Sequence, residues 1–287
     1  MNFGSCEDLH RRASLRRLLN RFGIQPDKDR GQHFLIDRNH LETVAKGAGR
    51  GEVALEVGSG PGSLTCLLKE RFQRTFAIEI DERFQDLFKE LNPEESVEFV
   101  LADFLSLDLA DLGLCKDGKS SLVGNIPYGI TGKVLERTIT DREYFSKAVF
   151  TTQKEVADRI LAKPGTKDCG AITYYVRAYA DVTRLGEVPP DAFYPPPDVD
   201  SSIIKIVFAA EKKFESPDGE YFSVVRGLFN YRRKTIRKGL IVSPDFTLDR
   251  DAVDELLDRA DLDPGKRPEE LTLEDFDRLT RFLSDRS

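Results

Sequence analysis

The chain has 287 residues, of which 40% are hydrophobic and 32% are charged, and this ordinary globular composition excludes disordered and fibrous proteins. The length predicts one large core with an appendage, or two domains. No apolar run approaches the ~18 residues of a membrane span, and the N-terminus lacks the apolar segment of a signal peptide. Four scattered cysteines without C-x-x-C spacing and only three histidines argue against a disulfide framework and a metal site, and favour a reducing cytoplasm.

The net charge of −7 is distributed unevenly along the chain. Residues 226–238 contain six basic and no acidic side chains, and residues 11–21 contain five arginines and no acid. Residues 244–287, in contrast, contain fourteen acids and seven bases. Because local basic patches bind phosphate even in an acidic protein, the block at 226–238 predicts contacts to nucleic-acid phosphates. The candidate RNA-binding residues are Arg232, Arg233, Lys234, Arg237 and Lys238.

Residues 9–22 predict an amphipathic helix in which arginines alternate with leucines at helical spacing. Gly23 suits the position that follows the last helical turn. The plainest interpretation is a surface helix of the folded protein. An arginine-rich amphipathic start is also typical of a mitochondrial transit peptide, but Glu7 and Asp8 weaken this alternative.

Strand-like and helix-like stretches alternate from residue 53 to about 128, which predicts βαβ units and a parallel sheet. The predicted strands cover residues 53–57, 75–80, 97–101, 122–124, 147–152 and 202–208, and the predicted helices cover 63–72, 83–91, 131–139 and 153–162. Each polar motif of the first part falls at the end of a strand, where ligands bind in open parallel sheets. Beyond residue 210 the pattern is helical and charged, so we place a domain boundary there.

A glycine-rich loop at residues 56–62 joins a strand to a helix. Its glycines allow a tight turn and the close approach of a ligand to the backbone, and the helix that follows presents free N–H groups. The glycine spacing matches neither the G-x-G-x-x-G dinucleotide motif nor a P-loop. Glu79 ends the next strand, where acids commonly bind ribose hydroxyls. A mere strand-to-helix turn is the alternative.

Two further motifs follow the later strands. Asp103 could accept a hydrogen bond from an adenine amino group, although a helix-cap or turn role is as compatible with its position. The sequence Asn125-Ile126-Pro127-Tyr128 places two carbonyl acceptors beside an aromatic ring. This arrangement suits an exocyclic amine on a stacked base, and a type I turn with a buried tyrosine is the alternative.

The proline-rich segment 193–201 begins with Phe193 and Tyr194. Aromatic side chains on a stiff segment could form the second wall of a base slot. The segment cannot be a central strand because of its prolines. A proline-rich docking ligand is the competing interpretation, but the strand predicted directly after it favours an internal loop.

Taken in order, these motifs resemble the KsgA-type rRNA adenine N6-dimethyltransferases, the sister family of the Erm antibiotic-resistance methylases. The resemblance covers nearly the whole chain, from about Leu15 to Leu283. It includes Gly-Gln-His-Phe-Leu at 31–35, where the family has GQNFL, and the asparagine–proline–tyrosine motif at 125–128. The other matching segments are residues 56–65, 78–81, 102–103, 153–157, 193–201, 232–235 and 267–271.

The resemblance implies roles for individual residues. The family's S-adenosyl-L-methionine contacts correspond to His33, Leu35, Gly58, Glu79, Asp103 and Asn125. Its target-base contacts, the candidate catalytic residues, correspond to Asn125, Pro127, Tyr128 and Phe193. His33 departs from the asparagine that is most familiar in the family, but a histidine can also donate or accept a hydrogen bond.

The resemblance also implies an α/β fold, with a Rossmann-like S-adenosylmethionine-dependent methyltransferase domain at residues 1–210 and a small helical domain at 211–287. The implied reaction dimethylates N6 of two adjacent adenosines in a hairpin loop near the 3′ end of small-subunit rRNA, during ribosome biogenesis. The expected partner is the pre-30S particle, and the protein is expected to be a cytoplasmic monomer without a metal or a membrane anchor. An Erm-like methylase of large-subunit rRNA and a mainly non-catalytic assembly factor are the alternatives.

Overall fold

The computed structural model describes residues 5–27, 30–246 and 248–284. Its strands are β1 (Phe34–Leu35), β2 (Gly51–Val57), β3 (Phe72–Glu79), β4 (Val97–Leu101), β5 (Ser120–Asn125), β6 (Phe145–Gln153), β7 (Ala180–Val188), β8 (Phe193–Tyr194) and β9 (Ser201–Phe208). Seven of them form one sheet in the order β4-β3-β2-β5-β6-β9-β7. The other two, β1 and β8, form a separate antiparallel ribbon.

The central part of the sheet is parallel, as the alternating pattern predicted. Strands β4, β3, β2, β5 and β6 run parallel to their neighbours, and β9 pairs antiparallel with β6. All six predicted strands are observed, several of them beginning one to three residues earlier than predicted. The last four residues of β2 are buried, as expected for a central strand that is covered on both faces.

Eleven α-helices are observed in the described part of the chain. They are α1 (Arg12–Arg21), α2 (Arg38–Ala48), α3 (Thr65–Leu68), α4 (Gln85–Leu91), α5 (Thr131–Thr140), α6 (Lys154–Leu161), α7 (Ala171–Arg177), α8 (Asp218–Phe229), α9 (Ile236–Val242), α10 (Arg250–Arg259) and α11 (Leu273–Ser284). The helix predicted at 63–72 is much shorter, because turns occupy residues 61–64 and β3 already begins at Phe72. Helix α1 has one buried face, which confirms the surface-helix interpretation for residues 12–21 of the predicted 9–22. Leu9 and His10 belong to a separate 3-10 helix (Cys6–His10), and the extended Arg11 lies between the two helices.

One glycine permits the close packing of β5 against β2 directly before the asparagine motif. A Cβ atom on Gly124 would lie 2.7 Å from the backbone oxygen of Val57. This distance is far shorter than any ordinary carbon–oxygen contact, and the obstructing atom belongs to the backbone. The absence of a side chain at Gly124 therefore fixes the position at which β5 delivers Asn125.

The chain divides into two compact units. The first contains the residues up to Ala157 together with Val182–Phe208, and the second contains Asp158–Asp181 together with the residues from Ala209 onward. Residues 158–181 thus group with the C-terminal helices, a grouping that a single cut near residue 210 does not include. The division into domains at 1–210 and 211–287 stays a prediction.

An aromatic cluster forms the core of the second unit. The Tyr174 ring lies edge-on to Phe276, with ring centroids 4.8 Å apart, and also contacts Phe229. The Tyr174 hydroxyl donates a hydrogen bond to the backbone oxygen of Leu271 at 2.6 Å. Since a buried hydroxyl is costly without a partner, this contact both satisfies Tyr174 and fixes the segment before α11.

A disulfide joins Cys6 to Cys66, so the expectation of a chain without disulfides is wrong for this pair. The two residues are 60 positions apart, so no local cysteine spacing in the sequence predicts their contact. The packing of the N-terminal segment against α3 brings them together. Cys115 is an exposed free thiol and Cys169 a buried one.

None of the helices in the described residues has the length and apolar character to cross a bilayer.

Candidate active site

A cavity of about 760 Å³ lies in the first unit, at the carboxyl ends of β2, β3 and β5. Its volume is in the range of small-molecule and cofactor sites. Six of the predicted site residues line it: His33, Gly58, Glu79, Asp103, Asn125 and Pro127. Leu35, Tyr128 and Phe193 are not part of its lining. The sheet thus brings most of the predicted cofactor contacts to one place.

The glycine loop at one side of the cavity depends on its glycines for conformation as well as for space. Gly58, Gly60 and Gly62 have φ angles of +69°, +52° and +90°, which lie in the region that favours glycine. A Cβ on Gly60 would also lie 3.0 Å from the Phe34 ring. The loop backbone can therefore approach a ligand closely, as the sequence predicted.

Glu79 is held rigidly at the end of β3. Its carboxylate accepts hydrogen bonds from the backbone N–H groups of Gly60 at 2.8 Å and of Ile80 and Asp81 at 3.0 Å each. Burial raises the pKa of Glu79, and these three donors oppose that shift because they stabilise the charged form. The carboxylate thereby connects the glycine loop to the next strand. It keeps lone pairs that can accept from hydroxyl groups in the cavity.

A second acid, Glu56, lies beneath the glycine loop and is only 2% exposed. Burial, and to a smaller extent the charge of Glu79, raises the pKa of Glu56 to about 8, although a hydrogen bond from the Thr65 hydroxyl lowers it. Glu56 is therefore mainly neutral at pH 7. Glu56 belongs to the predicted glycine-rich loop, but no role was predicted for its side chain. Its burial depends on elements that pack around β2, and these cannot be recognised from the sequence of one strand.

Gln32 ties the segment before β1 to the end of β3. Its side-chain amide donates to the Asp81 carboxylate at 2.9 Å. Asp81 also accepts from the Arg83 guanidinium, and these contacts hold the pKa of Asp81 at about 2. The resulting network places Gln32 and His33 along the wall of the cavity.

Asn125 has a defined amide orientation. Its Nδ2 donates to the backbone oxygen of His33 at 2.6 Å, so its Oδ1 is the free acceptor of the side chain. The Pro127 oxygen, by contrast, accepts from the Ile130 N–H at 3.1 Å and from the Thr131 hydroxyl at 3.4 Å. Both of its lone pairs therefore already have a donor, although the Thr131 contact is long. Of the two acceptors predicted for an exocyclic amine, Asn125 is the free one.

The Tyr128 ring is positioned by two neighbours. Its hydroxyl lies 2.6 Å from the Ser201 Oγ, and the His33 ring stacks on one face with centroids 5.9 Å apart. Burial raises the pKa of the Tyr128 hydroxyl above its usual value of 10. The hydroxyl is therefore protonated and hydrogen-bonded, which favours a stacking role for this ring over proton abstraction.

Phe193 is not brought together with the other predicted base contacts. Its side chain is 0% exposed and packs in the core cluster that contains Leu35. The two residues are paired in the β1–β8 ribbon, and both turn their side chains away from the cavity. The alternation of side chains along a strand explains this arrangement: in the same ribbon Phe34 lines the cavity.

Asp103 follows β4 and is exposed at the cavity. One of its oxygens accepts from the Leu105 N–H at 2.9 Å. The turn role that the sequence left open is therefore observed, and it coexists with a position in the cavity wall.

Among the apolar residues of the cavity that the sequence did not predict, two directly follow acidic residues of the predicted site. Ile80 directly follows Glu79 and is 58% exposed, which is unusual for an isoleucine, and Phe104 directly follows Asp103. Together they give the cavity apolar surface beside its acids, as a flat heterocycle requires. The available signal was their position, since each is an apolar residue adjacent to a polar motif at a strand end.

Solved structures share this architecture. The chain matches a dimethyladenosine transferase from Plasmodium falciparum with a TM-score of 0.73 and 24% identity, covering 86% of this chain and 96% of the other. It matches the 23S rRNA methyltransferase ErmE with a TM-score of 0.66 and 27% identity, covering 88% and 99%. With its glycine loop, its acid at the end of β3 and its cavity, the fold defines an S-adenosylmethionine-dependent methyltransferase.

Sequence comparison defines the group more closely. The family model for ribosomal RNA adenine dimethylases matches residues 25–282, and the chain belongs to this family. A "Ribosomal RNA small subunit methyltransferase A" from Clostridium botulinum is 33% identical over 272 residues, covering 93% of this chain and 98% of the relative. The protein of the same name from Geobacter metallireducens is 36% identical over 268 residues, covering 91% and 96%.

We expect Glu79→Ala to weaken S-adenosylmethionine binding at least about ten-fold, because two charge-assisted hydrogen bonds to the ribose would each contribute ~1.5–3 kcal/mol. Isothermal titration calorimetry measures the effect. Glu79→Gln, which keeps one oxygen acceptor and disturbs the backbone donors less, should lose less affinity. The exposed Glu95→Ala serves as the control, and unchanged affinity in both Glu79 variants would contradict the role.

The buried Glu56 should make stability depend on pH. Because its pKa rises from 4.5 to about 8 on folding, the folded state binds the proton more tightly. The stabilisation is complete below pH 4.5 and is lost as the pH rises toward 8, at up to ~1.4 kcal/mol per pH unit. Glu56→Gln should flatten the fall of the unfolding free energy between pH 6 and 8, as measured by urea denaturation. Parallel curves for the variant and the wild type would show that Glu56 is already ionised in the folded protein.

Proposed function

We propose that this chain dimethylates N6 of two adjacent adenosines in a hairpin loop near the 3′ end of small-subunit rRNA, during assembly of the small ribosomal subunit. The observation that carries the adenine chemistry is the fixed amide of Asn125, a residue of the cavity wall beside Pro127, whose amide oxygen is left free by the contact to His33. The relatives' names, which specify the small subunit, support the choice of RNA.

S-adenosyl-L-methionine, when bound, supplies the methyl group from its sulfonium centre. We assign its ribose to Glu79 and its adenine to Asp103, flanked by Ile80 and Phe104. Gly58 would allow the close approach of its methionine part, and His33 and Asn125 would line the path to the target base. Leu35 would contribute only through its backbone, since its side chain is buried in the core.

The chain's own residues position the target amine. The Asn125 Oδ1 and the Pro127 carbonyl would accept its two N–H groups, which turns the nitrogen lone pair toward the methyl donor. At Pro127 the amine would replace the Thr131 hydroxyl, whose hydrogen bond of 3.4 Å is the longer of the two that this carbonyl accepts. A hydrogen bond is most effective in such a role when its geometry is already set, and the contact to His33 sets it here. Positioning and exclusion of water suffice, because the donor already carries a good leaving group.

Tyr128 would stack on the target base with the ring face opposite His33. The ring cannot rotate freely, because Ser201 holds its hydroxyl. Base–aromatic stacking contributes ~1–3 kcal/mol, and the base must leave its own stack before it can reach the ring. Phe193 supports this site from the core and would need to move in order to touch the base.

The remaining parts of the proposal concern the surroundings of the protein. We propose that it acts as a cytoplasmic monomer on the pre-30S particle, and that the basic block of the second unit binds rRNA phosphates. No cluster of three or more potential metal-binding side chains occurs in residues 5–27, 30–246 or 248–284.

The test of the function is methyl transfer from labelled S-adenosylmethionine to purified 30S or 50S subunits that lack the modification. Label should enter the 30S RNA as N6,N6-dimethyladenosine, and primer extension should place two adjacent stops near its 3′ end. Incorporation into 50S subunits alone would establish an Erm-like enzyme. Binding to 30S subunits without incorporation would indicate an assembly factor.

We expect Asn125→Ala to lose a hundred- to thousand-fold in methyl-transfer rate, because one positioned hydrogen bond in a dry site contributes ~2.7–4 kcal/mol. Tyr128→Phe should retain substantial activity, whereas Tyr128→Ala should lose ~1–3 kcal/mol of base binding. Single-turnover kinetics on 30S subunits provide the measurement. If the phenylalanine variant is as inactive as the alanine variant, the hydroxyl takes part in the chemistry and the stacking role is wrong.

In the basic block, some side chains already have hydrogen-bond partners within the protein, and others are exposed to solvent. Arg237 makes two hydrogen bonds to Asp254, at 2.5 and 2.7 Å, and Arg232 donates to the Lys167 oxygen at 2.8 Å. Arg233, Lys234 and Lys238 are exposed, so they are the better candidates for phosphate contacts within the predicted set.

The double variant Arg233→Gln/Lys234→Gln should therefore weaken RNA binding and reduce its salt dependence, by ~0.7–0.9 in the slope of log K against log salt for each lost contact. The adenosines that are methylated should stay the same. Filter binding at several salt concentrations measures the slope. Lys116→Gln/Lys119→Gln, an equal charge change on the first unit, is the control, and an identical slope in all three proteins would contradict the assignment.

A further inference from the structure

The five arginines at residues 11–21 have no role in the function proposed above. In the folded chain all five are exposed, and no acidic side chain occurs among them. On α1 the buried face consists of Ser14, Leu15, Leu18 and Leu19. The opposite side, which we call the arginine face, carries Arg16 and Arg17, with Arg12 and Arg21 at its margins.

This arrangement is unfavourable for the helix itself. Arg12 precedes Arg16 by four residues, as Arg17 precedes Arg21, and like charges at this spacing destabilise a helix. The first turn contains no acid and begins with Arg12, which opposes the helix dipole. Within the described residues Arg16 has no hydrogen bond or ion pair, and the hydrogen bond of Arg17 is to the uncharged Ser14. Local stability therefore does not explain the cluster.

The helix is nevertheless held firmly in the first unit. Its leucines pack in a core cluster with Phe34 and Phe84, and Arg21 pairs with Glu90 at 2.8 Å. Because the helix is packed in place, the points at which its arginines are attached are fixed along a length of about 15 Å for ten residues.

The position of α1 connects this array to the active site. Arg12 donates to the backbone oxygens of Asp191 at 2.9 Å and Phe193 at 3.2 Å. In the same segment the oxygen of Pro195 lies 2.8 Å from the His33 Nδ1. His33 in turn accepts from Asn125 through its own backbone oxygen. The arginine face thus begins at the segment that borders the target-base site.

We propose that the arginine face binds RNA backbone phosphates that flank the target adenosine. The inference rests on the proposed function, in that the ligand is the rRNA substrate. Guanidinium groups suit this ligand because their planar N–H donors match phosphate oxygens in pairs. An RNA strand whose target base enters the cavity must pass over the neighbouring surface. There α1 offers it Arg16 and Arg17, two exposed cations that pair with no acidic side chain of the described residues.

The test uses the full chain with Arg16 and Arg17 both changed to Gln, a residue that is compatible with a helix. We expect the KM for unmodified 30S subunits to rise on the order of ten-fold near physiological salt, and the salt slope of RNA binding to fall by one to two. The kcat and the affinity for S-adenosylmethionine should stay as in the wild type. Arg16→Glu/Arg17→Glu should raise KM further, an order that a purely structural role would not produce.

Lys116→Gln/Lys119→Gln is the matched control, because these exposed lysines precede the amino end of β5, whereas the cavity lies at the carboxyl ends of the strands. An unchanged KM and salt slope in the Arg16/Arg17 variants, or an equal change in the control, would overturn the proposal. So would a lowered unfolding temperature that accounts for the loss. Failure of the proposed function is seen separately, because the wild type would then not methylate 30S subunits.

Discussion

The hydrogen bond from the Asn125 amide to the backbone oxygen of His33 is the contact on which the site depends. It crosses from the end of β5 to the segment before β1, which are 92 residues apart in the chain. Because it consumes the amide's donor, it determines which atom of Asn125 faces the cavity. The same histidine contacts the Tyr128 ring and the Pro195 oxygen. His33 therefore contacts all three parts of the site: the Asn125 amide, the Tyr128 ring and the proline-rich segment.

Around this contact, the cost of burying two acids is met in two different ways. At Glu79, burial raises the pKa, but three backbone N–H groups donate to the carboxylate and oppose that rise because they stabilise its charged form. Glu56 has only the Thr65 hydroxyl as a donor, so it keeps its proton instead. If both carboxyl groups were charged, their repulsion would act directly on the glycine loop between them. The difference in donors therefore stabilises a negative charge better on Glu79 than on Glu56, and Glu79 lies where the ribose would bind.

The sequence predicted the parts of this structure that local chemistry determines. Apolar runs that end in polar residues located the strands, and parallel topology then brought Gly58, Glu79 and Asn125 to one edge. Side-chain direction was not predictable in the proline-rich segment: Phe193 was expected at the base, yet its pairing with Leu35 turns it into the core. The contact between Cys6 and Cys66, the burial of Glu56 and the place of residues 158–181 depend on packing between distant segments. The periodicity of a single sequence predicts local elements, but it does not predict which distant segments pack together.

The ribbon of β1 and β8 has a mechanical consequence. Each strand has two residues, and in the described structure they pair only with each other, so the two strands are expected to shift together. Phe34 faces the glycine loop on one side, while Tyr194 continues into the segment beside the target-base site. A ligand that displaced one strand would displace the other, and part of its binding free energy would then affect the second site. Binding of the cofactor is thus expected to change the affinity for the target base, and binding of the base to change the affinity for the cofactor by the same factor. Each ligand needs to contact only one of the two strands for this effect.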